Sequence, residues 1–203
     1  GETAAGDRAT TLDSYVEPGI ASCVDFIRQS TGQERVALFG HCIGGNLASL
    51  YAALHPKTIS CLVTLTAPAT ASDGGIVALW SDSNVFPIDR IIETYGHMPA
   101  KLIRYTFMAL KPYNELLKFK MFIENLGNEE TLRTFHAVDS WANDNVDIPG
   151  SAFRKFIREV FHDNRFSRGL TEINGRSADL KAIQCPFLNL YAARDWIVKP
   201  ASA

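Results

Sequence analysis

The chain has 203 residues, with 20 Lys and Arg against 22 Asp and Glu and a hydrophobic share of 46%, a balance that excludes disorder, collagen-like repeats and low-complexity tracts. A formal charge of −2 removes the domain-wide positive field used by nucleic-acid and anionic-membrane binders, so no nucleic-acid partner is expected. A chain of this length buries roughly 70% of the surface its unfolded form exposes, enough for a core that needs no staples.

In chain order, the apolar residues Val16, Ile20, Cys23, Val24 and Ile27 share one helical face, which predicts an amphipathic helix over residues 11–32 closed by Gly32. Arg35-Val-Ala-Leu-Phe39 reads as a short strand, Gly40-His-Cys-Ile-Gly-Gly45 as a tight turn, and Asn46 to His55 as a helix stopped by Pro56. Ile59 to Leu65 is a second buried strand, and the unit from Arg35 to Leu65 has the length of a parallel βαβ crossover. The expected fold class is therefore α/β.

From 74 to 176 the pattern turns helical. Ile88, Ile91, Ile92 and Tyr95 are closed by Gly96, and Phe153, Phe156, Ile157, Val160 and Phe161 follow the start signal Pro149-Gly150-Ser151. Asn174-Gly175 between Leu170–Ile173 and Arg176–Leu180 predicts a hairpin. Cys185 to Ala192 resumes the strand pattern, with Asp195 in the loop at its C-terminal end. This divides the chain into a core at 1–73, a mostly helical insertion at 74–176 and a return to the core at 177–203. Three strands without a closing element, and Gly1 in place of Met, lead us to expect an internal piece of a longer chain.

The four cysteines, Cys23, Cys42, Cys61 and Cys185, lie far apart without metal-ligand spacing, which points to reduced thiols in a cytoplasmic protein and to no metal site. No apolar run reaches the ~18 residues of a membrane span, so no transmembrane segment is expected. Cys23, Cys61 and Cys185 fall on apolar faces, where core packing is their expected role.

Gly40-His41-Cys42-Ile43-Gly44 is different: it has the form of a nucleophile elbow with Cys at its tip. A residue at a sharp strand-to-helix turn sits in strained geometry, and side chains two positions either side of it would meet backbone, hence Gly40 and Gly44, with Gly45 following. The turn places Cys42 at a helix N-terminus, where the helix dipole favours the thiolate. The Ile43 N–H becomes a candidate oxyanion donor. The alternative is a structural cysteine on a glycine-rich turn.

In this arrangement the order is nucleophile, acid, histidine. Asp195 stands at the acid position, its alternative being a solvated loop aspartate, and the histidine is expected beyond residue 203. None of the five histidines is a persuasive substitute: His41 is the variable elbow residue, His55 ends the elbow helix, and His97, His136 and His162 read as surface or packing residues of the insertion. Asp139, Asp144, Asp147 and Asp163 are not singled out by spacing. Ser49 and Ser60 lie outside any glycine frame, so a serine esterase is excluded.

Gly40-His-Cys-Ile-Gly-Gly45 resembles the lipase-like box of polyhydroxyalkanoate synthases, and Asn189-Leu-Tyr-Ala-Ala-Arg-Asp-Trp-Ile-Val-Lys-Pro200 resembles the segment carrying their catalytic aspartate. Thr11-Leu-Asp-Ser-Tyr15, Tyr51-Ala-Ala-Leu-His-Pro56, Gly96-His-Met-Pro99, Leu110-Lys-Pro112, Phe153-Arg-Lys-Phe156 and Asp179-Leu-Lys181 extend the likeness along nearly the whole chain. It is most similar to the catalytic subunit of the short two-subunit (class III) type. Thr66 to Gly75 departs from the Val-Asp-Phe expected after that strand. The resemblance implies an α/β-hydrolase fold with a helical cap, and an acyltransferase that polymerises 3-hydroxyacyl groups from coenzyme A thioesters, 3-hydroxybutyryl-coenzyme A above all, through a thioester on Cys42. It further implies Asp195 orienting the histidine, no cofactor beyond coenzyme A as leaving group, a second synthase subunit, a homodimer, and a cytoplasmic location on polyester granules. A Cys-type dienelactone-hydrolase-like enzyme is disfavoured by the large helical insertion, and a non-catalytic granule-associated or truncated protein is the reading from another class.

Overall fold

The region expected as one helix forms as three pieces in a computed structural model that describes residues 9–71, 76–110 and 113–203. These are α1 (Leu12–Ser14), a wider π turn over Tyr15–Ile20, and α2 (Ala21–Thr31). Thr11 caps α1, its Oγ1 accepting the Ser14 N–H at 3.1 Å, and Gly32 ends α2 in the left-handed conformation at φ 69°. Pro18 supplies no N–H and Glu17 is non-helical at φ −137°, ψ 111°, so the helical face is re-phased there. Val16 and Val24 are buried, whereas Cys23 and Ile27 are exposed. The expectation that Cys23 packs in the core is thereby corrected.

Next comes the parallel unit. β1 (Val36–His41), α3 (Ile43–Leu54) and β2 (Ile59–Leu65) form the βαβ crossover, and β7 (Phe187–Leu190) joins the other side of β2, giving the order β1-β2-β7 with all strands parallel. The third strand is shorter than its apolar run, and Cys61 and Cys185 are only partly buried. Parallel strands start and end together, so the C-terminal ends of all three lie along one edge. α3 packs on β1 and β2, burying Ala48, Leu50, Tyr51, Ala52 and Ala53.

Between β2 and β7 run α4 (Ile76–Ser81), α5 (Ile88–Tyr95), α6 (Ala100–Leu110), α7 (Tyr113–Glu124), α8 (Glu129–Asn143) and α9 (Gly150–Ile157). Gly96 closes α5 at φ 74°, and α9 starts at Gly150 and continues as a π turn over Arg158–His162, as patterned. The ladder of β3 (His97–Met98) with β4 (Ile148–Pro149) brings the two ends of the α6 to α8 excursion together. Asp147 secures that neck, its Oδ1 accepting the Ala100 N–H at 2.8 Å and its Oδ2 lying 3.2 Å from His97 Nε2. β5 (Glu172–Ile173) and β6 (Arg176–Ser177) form the predicted hairpin, with Asn174 at φ 49° and Gly175 at φ 73° in the turn.

One apolar cluster joins residues of the first and the helical parts: Val16, Leu50, Tyr51 and Leu62 belong with Trp80, Phe86, Phe153 and Phe161. The rings of Trp80 and Phe86 stack at 5.4 Å between centroids, and Phe161 tilts against Trp80 at 6.0 Å. Residues 1–8, the stretch from Ser72 to Gly75 with the boundary between 73 and 74, and Lys111-Pro112 lie outside the described residues.

Candidate active site

β1 ends at His41, α3 begins at Ile43, and Cys42 makes the turn between them at φ 53°, ψ −127°. For a residue bearing a side chain this is strained backbone. It is held by the Cys42 N–H donating to Leu65 O and the Gly45 N–H donating to Cys42 O, both at 2.9 Å. A Cβ on Gly40 would lie 2.5 Å from both Gly44 O and Gly45 Cα, and one on Gly45 would lie 2.5 Å from Ala67 Cβ. A Cβ on Gly44 meets nothing within 4 Å. The expectation of symmetric collisions about Cys42 is corrected: close approach falls on Gly40 and Gly45, because the turn folds the start of α3 back over the end of β1 and against β2, whereas Gly44 faces open space.

Burial pushes the Cys42 thiol up, the Ile43 N–H hydrogen-bonded to it draws it down, and the Asp195 carboxylate raises it again, leaving it above the ordinary thiol value. The helix N-terminus does not outweigh desolvation here, contrary to the sequence expectation. A thiol so placed needs a base to become a nucleophile.

Asp195 reaches the same edge from β7. Its N–H donates to Ala192 O at 3.0 Å, and its Oδ1 accepts from the Ile197 and Val198 N–H groups at 2.8 and 3.1 Å. These bonds fix the carboxylate's orientation. Beside this loop lies a cavity of about 440 Å³ lined by Arg104, Phe107, Trp141, Trp196 and Ile197. The Trp141 ring, from α8, comes within 6.5 Å of His41 between centroids, so α8 meets the elbow directly.

The histidines take structural places. His55 Nε2 pairs with Glu17 Oε1 and its ring stacks on Tyr51 at 4.5 Å. His97 pairs with Asp147, His136 sits 5.7 and 6.0 Å from the Phe135 and Phe122 rings, and His162 Nε2 is 3.0 Å from Trp80 O. Asp139 pairs with Lys118. Among the described residues no group of three His, Cys, Asp or Glu could hold a metal ion, and no helix is long and apolar enough to cross a membrane.

Sequence reasoning missed Thr66, the residue directly after β2, at φ 47°. No composition or spacing marks a threonine as strained; only the ties around it do. It also did not single out Trp141, and it named Trp196 only within the segment from Asn189 to Pro200.

Residues 4–203 match the model of the alpha/beta hydrolase fold. The chain is 34% identical over 196 residues to the poly(3-hydroxyalkanoate) polymerase subunit of Allochromatium vinosum, covering 96% of this chain and 55% of that one. It is 33% identical to the subunit of the same name from Thiocystis violacea, with the same coverage, and 31% identical to that of Synechocystis, covering 98% of this chain and 54% of that protein. The chain thus spans about half the length of these relatives.

Proposed function

Because the chain belongs to the α/β-hydrolase family, we propose that it forms part of an acyltransferase in which Cys42 takes 3-hydroxyacyl groups from coenzyme A thioesters and passes them to a growing polyester. The observation that carries this reading is the strained turn holding Cys42 between β1 and α3 at φ 53°. The names of the relatives, polymerases of 3-hydroxyalkanoates, supply the substrate class.

In the proposed reaction a base removes the Cys42 proton and the sulfur attacks the thioester carbonyl. Oxygen charge builds near the Ile43 N–H, and the coenzyme A sulfur leaves as its thiol after taking a proton. Exchange of one thioester for another is nearly isoenergetic, so the acyl group stays activated on Cys42 until the 3-hydroxyl of a second unit attacks it. The raised thiol makes the base indispensable, and we assign it to a histidine outside residues 1–203. Asp195 would orient it: Oδ1 is taken by two backbone N–H groups, and among the described residues Oδ2 accepts no hydrogen bond. The open cavity beside Trp141 and Trp196, whose wall mixes Phe107, Met108 and Ile197 with Arg104, Lys118 and Asp144, would receive the acyl chain. No cofactor enters this scheme. A second synthase subunit, a homodimer, and a cytoplasmic place at the granule surface belong to the same proposal.

The test is intact-protein mass after incubation with 3-hydroxybutyryl-coenzyme A, made on the protein expressed from its complete reading frame. An acyl adduct that maps to Cys42, disappears in Cys42→Ala and persists in Cys23→Ala, Cys61→Ala and Cys185→Ala is the expected result. An adduct of undiminished size in Cys42→Ala overturns it.

A further inference from the structure

Four described residues other than glycine have positive φ: Cys42, Thr66, Asn164 and Asn174. Cys42 is the elbow and Asn174 the hairpin turn, and asparagine adopts this conformation at little cost. Thr66 stands apart, since a β-branched residue at φ 47° is a genuine outlier that glycine would occupy with less strain.

Its place in the sheet is specific. The peptide joining Leu65 and Thr66 lies between the two strand ends of the candidate site: Leu65 O accepts the Cys42 N–H at 2.9 Å, and the Thr66 N–H donates to Leu190 O at 2.8 Å. Thr66 thus directly follows the strand between the one leading to Cys42 and the one leading to Asp195. The loop after it is held from three sides. Asn46 Nδ2 donates to Pro68 O at 2.8 Å, the Ala69 N–H donates to Ser202 O at 2.6 Å, and Thr70 Oγ1 donates to Asn164 Oδ1 at 2.9 Å. Strain persists only where surroundings over-determine it, and it gathers at functional sites. Thr66 is half-buried, and its hydroxyl takes no hydrogen bond among the described residues.

We infer that Thr66 is a specificity-determining residue of this site, its hydroxyl hydrogen-bonding the 3-hydroxyl of the acyl group that Cys42 receives. The substrate class carries two polar groups near the reacting carbon. The thioester oxygen has the Ile43 N–H, and Thr66, directly after the strand beside Cys42, is the group we assign to the 3-hydroxyl two carbons further on. A threonine hydroxyl both donates and accepts, so it serves whichever way the substrate hydroxyl turns. This rests on the acyl-transfer reading above.

The experiment compares Cys42 acylation by 3-hydroxybutyryl-coenzyme A with acylation by butyryl-coenzyme A, which lacks the hydroxyl. It uses the protein from the complete reading frame, with Cys42 alkylation by iodoacetamide as a control for the thiol itself. Wild type is expected to prefer the hydroxylated thioester, and Thr66→Val to reduce that preference about tenfold, the worth of one hydrogen bond to a substrate hydroxyl. Alkylation stays unchanged in Thr66→Val, and Thr66→Ser restores the preference. Thr66→Gly, which relieves the strain, raises the melting temperature while losing the preference as Thr66→Val does. Acylation without any preference in wild type, or a preference that survives in both Thr66→Val and Thr66→Gly, overturns the role of Thr66 alone. Absence of acylation by either thioester overturns the acyl-transfer reading, and this inference with it.

Discussion

The glycines of the elbow are not equivalent, and their difference can be measured. An alanine at position 40 would place its Cβ 2.5 Å from main-chain atoms of Gly44 and Gly45, atoms that cannot move without unwinding the start of α3. Gly40→Ala is expected to destabilise the fold by about 1–3 kcal/mol. At Gly44 the Cβ has open space, and the helical position gains from the lost freedom of glycine, so Gly44→Ala is expected to be neutral or to stabilise by up to about 1 kcal/mol. Urea unfolding of both variants checks the pair, and equal losses would refute the geometry described for the turn. Cys42 makes a second residue-scale prediction. Its thiol is raised by burial and by Asp195, so the fold favours the protonated form. That contribution is complete below the ordinary thiol range and is lost as pH rises through the raised value. The stability difference between wild type and Cys42→Ser should therefore narrow from neutral into alkaline solution.

Among elements, Asp13 in α1 links pieces distant in the sequence. Its carboxylate accepts Lys155 Nζ from α9 at 2.8 Å through both oxygens and the Asn174 N–H of the β5–β6 turn at 2.7 Å. Burial alone would raise this carboxyl, but the Lys155 ammonium and the Asn174 N–H more than offset it and hold it below the ordinary value. A depressed carboxylate stabilises above its unfolded value and loses that contribution as pH falls through the folded one. Asp13→Asn should cost about 1–3 kcal/mol at neutral pH, with the loss shrinking on acidification. Truncating α9 at its buried face, Phe153→Ala, should cost about 3–5 kcal/mol in the same unfolding measurement, since its ring meets those of Trp80 and Phe86. Local pattern made much of this level legible. Gly96 after Tyr95, Pro149-Gly150-Ser151 before Phe153, and Asn174-Gly175 each act within a few residues, and each forms where its pattern lies. The turn at Cys42 and the position of Asp195 in the loop after β7 were legible because strand, glycine turn and loop follow one another in order. What escaped the pattern depends on distant partners: Cys23 turned outward by the break at Glu17, the thiol raised by burial, and Thr66 held at positive φ by its bond to Leu190 and by the ties of the loop after it to Asn46, Ser202 and Asn164. Pro18 did carry the signal for the break, and the apolar spacing on either side of it masked that.

For the molecule as a whole, the sheet is the telling feature. Parallel sheets are ordinarily covered on both faces, and α3 covers only one. On the other, Phe39, Val63 and Leu188 lie in register across β1, β2 and β7, with Phe39 64% and Leu188 52% exposed, and Leu190 beside them 41% exposed. A contiguous apolar strip of this kind on a chain free in solution drives association. Among the described residues the outer edges of β1 and β7 pair with no further strand, which adds to it. A protein consisting of residues 1–203 alone is therefore expected to self-associate as its concentration rises. Replacing Phe39 and Leu188 together by lysine should suppress that, because both charges would sit on the same open face. A competing source exists in the exposed Leu116, Phe119 and Trp141 of α7 and α8. Sedimentation velocity on three proteins separates them: the unaltered chain, the Phe39→Lys/Leu188→Lys variant, and a Leu116→Lys/Phe119→Lys variant. If only the sheet substitutions return the chain to a monomer, the uncovered face is the adhesive one. If only the helical substitutions do so, the strip on the sheet is too interrupted by partly covered residues such as Val63 to act as a surface.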